Sequence, residues 1–92
     1  MNKKSLFITF EGCEGSGKGT QIKLLKYFLK SKKYDVVHTR EPGGTKIGEQ
    51  IRKILQDDQN RSMFSLTELY LFLASRSQNT YGIIKPALEQ GK

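Results

Sequence analysis

The chain has 92 residues, of which 36% are apolar and 27% charged, so it is long enough for one small domain with a single core. This composition excludes a fibrous or disordered chain, no apolar run is long enough to cross a membrane, and the first residues lack the apolar core of a signal peptide. The single cysteine, Cys13, excludes an intramolecular disulfide and a cysteine-based metal site. We therefore expect a globular cytoplasmic protein that does not act at a membrane.

The net charge of +7 suits nucleic acid, a membrane surface or a small polyanionic substrate. Part of this positive charge comes from lysines on the polar side and at the C-terminal end of the first predicted helix, where they interact favourably with the helix dipole. No aromatic residues alternate with these lysines, as a stacking platform for nucleic acid would require. The distribution favours a small polyanionic substrate, with nucleic acid as the second interpretation. The lysines are Lys23, Lys26, Lys30, Lys32 and Lys33.

The first third of the chain predicts a βαβ unit. Residues 5–10 are almost uninterrupted apolar residues, which is typical of a strand covered on both faces of a parallel sheet. From Lys18 to about Ser31 the apolar residues follow helical spacing, and residues 34–39 are rich in strand-forming residues. Because such crossovers are right-handed, both strands should end at the same edge of the sheet, where ligands of these folds bind.

The segment between the first strand and the helix has the Gly-x4-Gly-Lys spacing of a phosphate-binding P-loop. Glycines let the backbone direct its N–H groups at an anion, the positive end of the helix adds to that field, and Lys18 supplies a cation. The residue after Lys18 is Gly19 instead of the Ser or Thr that reaches Mg²⁺, and Thr20 follows one place later. We predict that the loop binds the phosphates of a nucleotide, which the resemblance described below implies to be ATP, through Gly12, Cys13, Glu14, Gly15, Ser16, Gly17, Lys18, Gly19 and Thr20.

The remainder of the chain predicts a turn and two further helices. Residues 40–45 combine charge with Pro42 and two glycines, and Ile47, Ile51 and Ile54 then recur at helical spacing. Residues 66–74 are apolar on every side, as in a helix that is buried all round. Since a sheet covers only one face of such a helix, we expect the other face to form a homodimer.

Five segments of this sequence resemble the thymidylate kinase family: residues 10–18, 39–45, 48–52, 71–78 and 84–88. A P-loop alone is shared by a large superfamily, whereas Arg-Glu-Pro-Gly-Gly-Thr at this spacing is specific. The resemblance implies an α/β fold of the P-loop NTPase type, a parallel sheet flanked by helices in three layers. The chain would hold the first βαβ unit and two following helices, as a single domain over residues 1–92 that is incomplete at its C-terminal side.

The resemblance also implies an activity, the transfer of the γ-phosphate of ATP to dTMP with Mg²⁺. Lys18, Glu14 and Arg52 would be the catalytic residues, with Glu14 facing the sugar of the acceptor and Arg52 approaching its phosphate. Phe72 would stack on thymine and Arg76 would bond the edge of the base. The protein would be a homodimer that binds ATP and dTMP. It would bind neither nucleic acid nor a membrane. The implied dTMP-binding residues are Glu14, Arg40, Glu41, Pro42, Arg52, Phe72, Arg76 and Gln78.

A departure from the family pattern, and the absence of the family's C-terminal half from these residues, leave two alternatives open. Gly19-Thr20 is more similar to adenylate kinases, which makes AMP an alternative acceptor and leaves Thr20, through a water, as the candidate contact to the metal. Gly15 and Ser16 stand where some members carry a catalytic arginine, so that arginine would come from a lid. A P-loop remnant that binds nucleotide without turnover is the alternative from a different functional class.

Overall fold

The computed structural model of the chain describes residues 5–13 and 15–92. Four α-helices form in these ranges: α1 (Lys18–Ser31), α2 (Lys46–Gln56), α3 (Ser65–Asn79) and α4 (Lys85–Glu89). A short 3-10 turn, Asp58–Asn60, precedes α3, and a π-helical turn, Thr80–Ile84, joins α3 to α4. None of the helices in the described ranges has the length and apolar character needed to span a bilayer.

The chain divides into two compact units. The first comprises Met1–Val37 together with Leu88–Lys92, and the second is His38–Ala87. In the first unit, the Ser5 hydroxyl donates to the Leu88 carbonyl at 2.9 Å, and Lys92 pairs with Asp35 at 3.8 Å. In the second unit, α2 packs against α3. The prediction of one domain over residues 1–92 stays a prediction.

The predicted helices at 18–31 and after residue 45 are confirmed. In α1, Ile22, Leu25 and Leu29 are half-buried, whereas Leu24 and Phe28 are exposed, so the apolar face is narrower than predicted. α2 begins where the Thr45 side chain accepts a hydrogen bond from the Gly48 N–H, which satisfies one of the unpaired donors of its first turn.

The predicted sheet is not confirmed, because residues 5–13 and 15–92 contain no β-strand. A strand exists through hydrogen bonds to a neighbouring strand. In the described ranges, the backbone–backbone hydrogen bonds outside the helices close only local turns and helix ends. The first apolar run is correspondingly open to solvent, with Leu6 at 74% and Phe7 at 59% exposure. The apolar pattern of residues 5–10 therefore predicted a strand, but the described residues contain no neighbouring strand for it to pair with.

The prediction that residues 66–74 are buried all round is wrong for this chain. Leu66 is 59% and Tyr70 63% exposed, because α2 covers only one side of α3. Among the described residues no apolar side chain is fully buried, and the two buried polar side chains are Ser75 and Asn79 at 0% and 1% exposure. The best-packed point of the described chain is thus polar, and it lies where α3 meets the loop before α2.

Candidate functional site

The predicted phosphate loop turns sharply into α1. Gly15 and Gly17 have φ values of 79° and 87°, in the left-handed region that glycine adopts without strain. The Ser16 N–H donates to the Cys13 carbonyl at 3.2 Å. The Lys18 ammonium group donates to the Gly12 carbonyl at 3.1 Å, across the loop. The loop residues and the lysine that was predicted to bind phosphate therefore lie together at the start of α1.

The N-terminus of α1 can accept an anion. Its N-cap is Gly17, no described side chain caps it, and the first turn contains no acidic residue among those described. Its first N–H groups therefore have no partner within the helix, and the helix dipole gives them a partial positive charge. Gly19 and Thr20 are exposed in this turn, and Cys13 is an exposed free thiol in the loop before it. Glu14, predicted to face the acceptor, lies outside the described residues.

In the second unit, residues 39–45, which we call the Arg40 loop, lie between α2 and α3. The Glu41–Pro42 peptide bond is cis, and Gly43 and Gly44 have φ values of 134° and 86°. A Cβ atom added to Gly44 would collide with the side chains of Thr39 and Asn79. Glycine is therefore needed at position 44 both for its φ and for the close approach of the loop to α3.

Side chains of α2 hold one side of the Arg40 loop. The Glu49 carboxylate accepts hydrogen bonds from Arg40 Nε at 3.0 Å, from Arg40 Nη2 at 2.5 Å and from the Gly44 N–H at 2.8 Å. The hydrogen bond from Arg40, and after it the one from Gly44, lowers the pKa of Glu49 to about 2. The hydrogen bond with Glu49 in turn raises the pKa of Arg40. Arg52 donates through Nη1 to the Pro42 carbonyl at 2.9 Å.

Helical spacing alone favours a pair between Glu49 and Lys53 on the outer side of α2, but the structure pairs Glu49 with Arg40. An i,i+4 pair is the expected partner on an isolated helix, since it requires no knowledge of neighbouring segments. The bidentate contact with Arg40 instead depends on how the Arg40 loop folds back over α2. A carboxylate four residues after an N-cap threonine is the signal that could have suggested it.

Side chains of α3 hold the other side of the loop. The buried Ser75 hydroxyl accepts from the Gly43 N–H at 2.9 Å. Asn79 accepts from the Thr39 hydroxyl at 2.6 Å and donates to Glu41 at 3.1 Å. Sequence reasoning missed both residues, although their spacing of four places them on one face of α3. They connect the Arg40 loop to the body of the second unit.

Glu41 is bonded to two residues of α3. Besides Asn79, it accepts from Arg76 Nε at 2.7 Å. Partial burial raises the pKa of Glu41, but the hydrogen bonds from Arg76 and Asn79 outweigh it, and the net direction is downward. Glu41 is therefore a carboxylate at neutral pH, and the Arg76 side chain, 67% exposed, is held at one end by it.

A cleft of about 300 Å³, which we call the Phe72 cleft, opens beside this pair. It brings together four of the predicted dTMP-binding residues, and Leu69 and Leu73 complete its lining. Arg40 lines a different cleft of about 360 Å³, with His38, Thr39, Gly44 and Glu49. Arg52 contacts the loop through Pro42, while Gln78 is exposed on α3. The four residues are Glu41, Pro42, Phe72 and Arg76.

The glycine-rich turn into α1, with Lys18 bonded across it, is the arrangement of a P-loop. A family model described as thymidylate kinase matches residues 10–92, and the chain belongs to the thymidylate kinase family. This membership implies a P-loop NTPase fold.

Curated relatives support the same assignment. The thymidylate kinase of Symbiobacterium thermophilum is 53% identical over 88 residues, covering 96% of this chain and 41% of the relative. The thymidylate kinase of Halothermothrix orenii is 54% identical over 89 residues, which cover 97% of this chain and 42% of the relative. The thymidylate kinase of Pelobacter propionicus is 56% identical over 85 residues, which cover 92% of this chain and 39% of the relative. The chain thus spans about two fifths of the length of the curated relatives it matches.

Proposed function

We propose that the protein containing this chain transfers the γ-phosphate of ATP to dTMP, giving dTDP for the synthesis of dTTP. The observation that carries this proposal is the Phe72 cleft, in which an aromatic ring and the guanidinium group of Arg76 line one cavity. A ring face and a group of hydrogen-bond donors suit a planar base with polar edges. The membership of the thymidylate kinase family supports thymine as that base.

On the acceptor side, Phe72 stacks on the base and Arg76 donates to its edge. Glu41 accepts a hydrogen bond from Arg76 Nε, and both residues line the cleft. Arg52, bonded to the Pro42 carbonyl, approaches the phosphate of dTMP. Arg40, Gln78 and Glu14 complete the proposed acceptor set, with Glu14 at the sugar.

On the donor side, the phosphate loop and Lys18 hold the phosphates of ATP. Phosphoryl transfer requires alignment and charge neutralisation more than covalent chemistry, and both are supplied by the backbone N–H groups at the start of α1 and by the lysine. Mg²⁺, when bound, neutralises further charge on the phosphates. Gly19 offers no ligand, whereas the exposed Thr20 hydroxyl fits a contact through water.

A homodimer through α3 and a cytoplasmic location, where ATP and nucleotide precursors are used, complete the proposal. Leu69 and Leu73 line the Phe72 cleft, so the dimer surface is assigned to the exposed Leu66 and Tyr70 instead. Leu66→Lys should give a folded monomer, because it places a charge in the contact and not in a core. Sedimentation at micromolar concentration tests this, and a wild-type protein that is strictly monomeric would contradict the dimer.

The 92-residue chain alone has a second candidate function, nucleotide binding without turnover. No apolar side chain is fully buried in its described ranges, so hydrophobic burial contributes little to holding the site rigid. A coupled assay of ADP release, on this chain and on the longest gene product that contains it, separates the two candidates. We expect dTMP-dependent turnover in the long form. Turnover with AMP in place of dTMP would make the protein an adenylate kinase instead.

A further inference from the structure

Asn79 does not line the Phe72 cleft and has no part in the function proposed so far. Its side chain is 1% exposed, and each end of its carboxamide makes one hydrogen bond to the Arg40 loop. An amide buried at this depth is stable only when its donors and acceptor are paired.

The chemistry of its partners fixes how the carboxamide is oriented. Glu41 is ionised and can only accept, so it must face the Nδ2 donor of Asn79. The Thr39 hydroxyl donates to Oδ1 on the other side. A reversed amide would direct its oxygen at the Glu41 carboxylate, which is repulsive. Gly44 packs so closely against Oδ1 that a Cβ atom there would collide with it.

The constraint passes from Asn79 to Arg76 through a single carboxylate. Glu41 accepts from Asn79 with Oε2 and from Arg76 Nε with Oε1, so two donors on α3 define the plane of the carboxylate. The guanidinium group of Arg76 is planar, and a bond to its Nε sets the direction of the remaining donors. Asn79 is thus connected to Arg76 through Glu41 without lining the cleft itself.

We propose that Asn79 is a positioning residue that sets the base selectivity of the acceptor site, by orienting Arg76 through Glu41. The inference rests on the proposed function. An arginine has donors only, so an oriented Arg76 favours a base whose edge presents a carbonyl oxygen. Thymine presents O4 where cytosine presents an amino group. The selected class is therefore a pyrimidine monophosphate with an acceptor at position 4, dTMP over dCMP.

The decisive variant is Asn79→Asp in the longest gene product, because it keeps the shape of the side chain and replaces the donor that faces Glu41 by an acceptor. We expect the ratio of kcat/KM for dTMP to that for dCMP to fall about tenfold, with a higher KM for dTMP and an unchanged KM for ATP. Ser77→Asp is the matched control, since it adds the same carboxylate on an exposed position of α3 and should leave the ratio unchanged. If N79D does not fold, Asn79→Leu removes the donor without adding charge, and the same fall is expected.

A second measurement does not depend on turnover. The NMR signal of the Arg76 Nε–H group reports its hydrogen bond to Glu41, and it should shift in N79D and not in S77D. A selectivity ratio within twofold of wild type in a folded variant, or an unchanged Nε–H signal, would overturn the inference. If the wild-type protein fails to phosphorylate dTMP, the proposed function is wrong, and the Nε–H signal still decides whether Asn79 positions Arg76.

Discussion

Gly48 on α2 tests whether the Arg40 loop requires its close contact with this helix. Alanine in place of a glycine inside a helix normally stabilises a protein by about 0.5–1 kcal/mol. At position 48, however, the new Cβ atom would lie 2.9 Å from the Gly43 carbonyl carbon and closer still to the oxygen. It would also lie 3.0 Å from the Thr45 hydroxyl that caps α2. Steric overlap therefore opposes the gain in helix propensity.

The overlap should win, because the atoms that must move are backbone atoms. Gly43 is buried, and its N–H is bonded to Ser75, so the peptide cannot swing away freely. Overpacking of this kind costs about 1–3 kcal/mol, and a weakened Thr45 cap adds about 1 kcal/mol. After subtracting the propensity gain, we expect Gly48→Ala to lower the free energy of unfolding by roughly 1–3 kcal/mol.

Gly82→Ala is the matched control in the same unit. Its Cβ atom would lie 3.6 Å from the Thr45 methyl group, which is ordinary contact. Urea unfolding of both variants, followed by the KM values for dTMP and ATP, tests the reasoning. Gly48→Ala should shift the Arg40 loop and so raise the KM for dTMP selectively. A Gly48→Ala variant that is as stable as Gly82→Ala and has the wild-type KM for dTMP would show that the steric overlap is harmless.

Three further predictions concern individual side chains. Lys18→Ala should abolish phosphoryl transfer and leave the far-ultraviolet circular dichroism spectrum unchanged, because this loop lysine contributes charge to the transition state and little to packing. Near-normal turnover in the folded variant would contradict this. Phe72→Ala should raise the KM for dTMP far more than that for ATP, whereas equal changes would make Phe72 an ordinary packing residue. The pKa of Glu49 is about 2 in the folded chain against an ordinary 4.5, so its stabilising contribution is complete above pH 4.5 and is lost as the pH falls through 2. Between these pH values, urea midpoints of wild type should fall more steeply than those of Glu49→Gln, and parallel curves would refute the assignment.

The parts of the structure that were predictable from sequence depend on local interactions. The start of α1 follows from glycines and a lysine within a few residues, and α2 follows from the spacing of its isoleucines. The sheet was not predictable from the two apolar runs, because a strand requires neighbours that the pattern does not identify. The apolar pattern of α3 predicted burial on every side, and this was wrong because exposure depends on which elements cover the helix.

The candidate site shows the same division. Phe72, Arg76, Glu41 and Pro42 were identified through the resemblance, and the structure brings them to one cleft. Asn79 could not be identified in this way, since its role depends on two partners about forty residues earlier in the chain. Residues that make contacts through other residues leave no local signal, and only the folded loop reveals them.

Arg52 and Arg76 are anchored on adjacent residues of the Arg40 loop. Arg52 bonds the carbonyl of Pro42, and Arg76 bonds the carboxylate of Glu41. On the proposed function, these arginines meet opposite ends of one nucleotide, its phosphate and its base. The Arg40 loop would then set the distance between the Arg52 and Arg76 guanidinium groups, since both are bonded to adjacent residues of its backbone segment. On this proposal, the site would distinguish a nucleotide by its length as well as by its base.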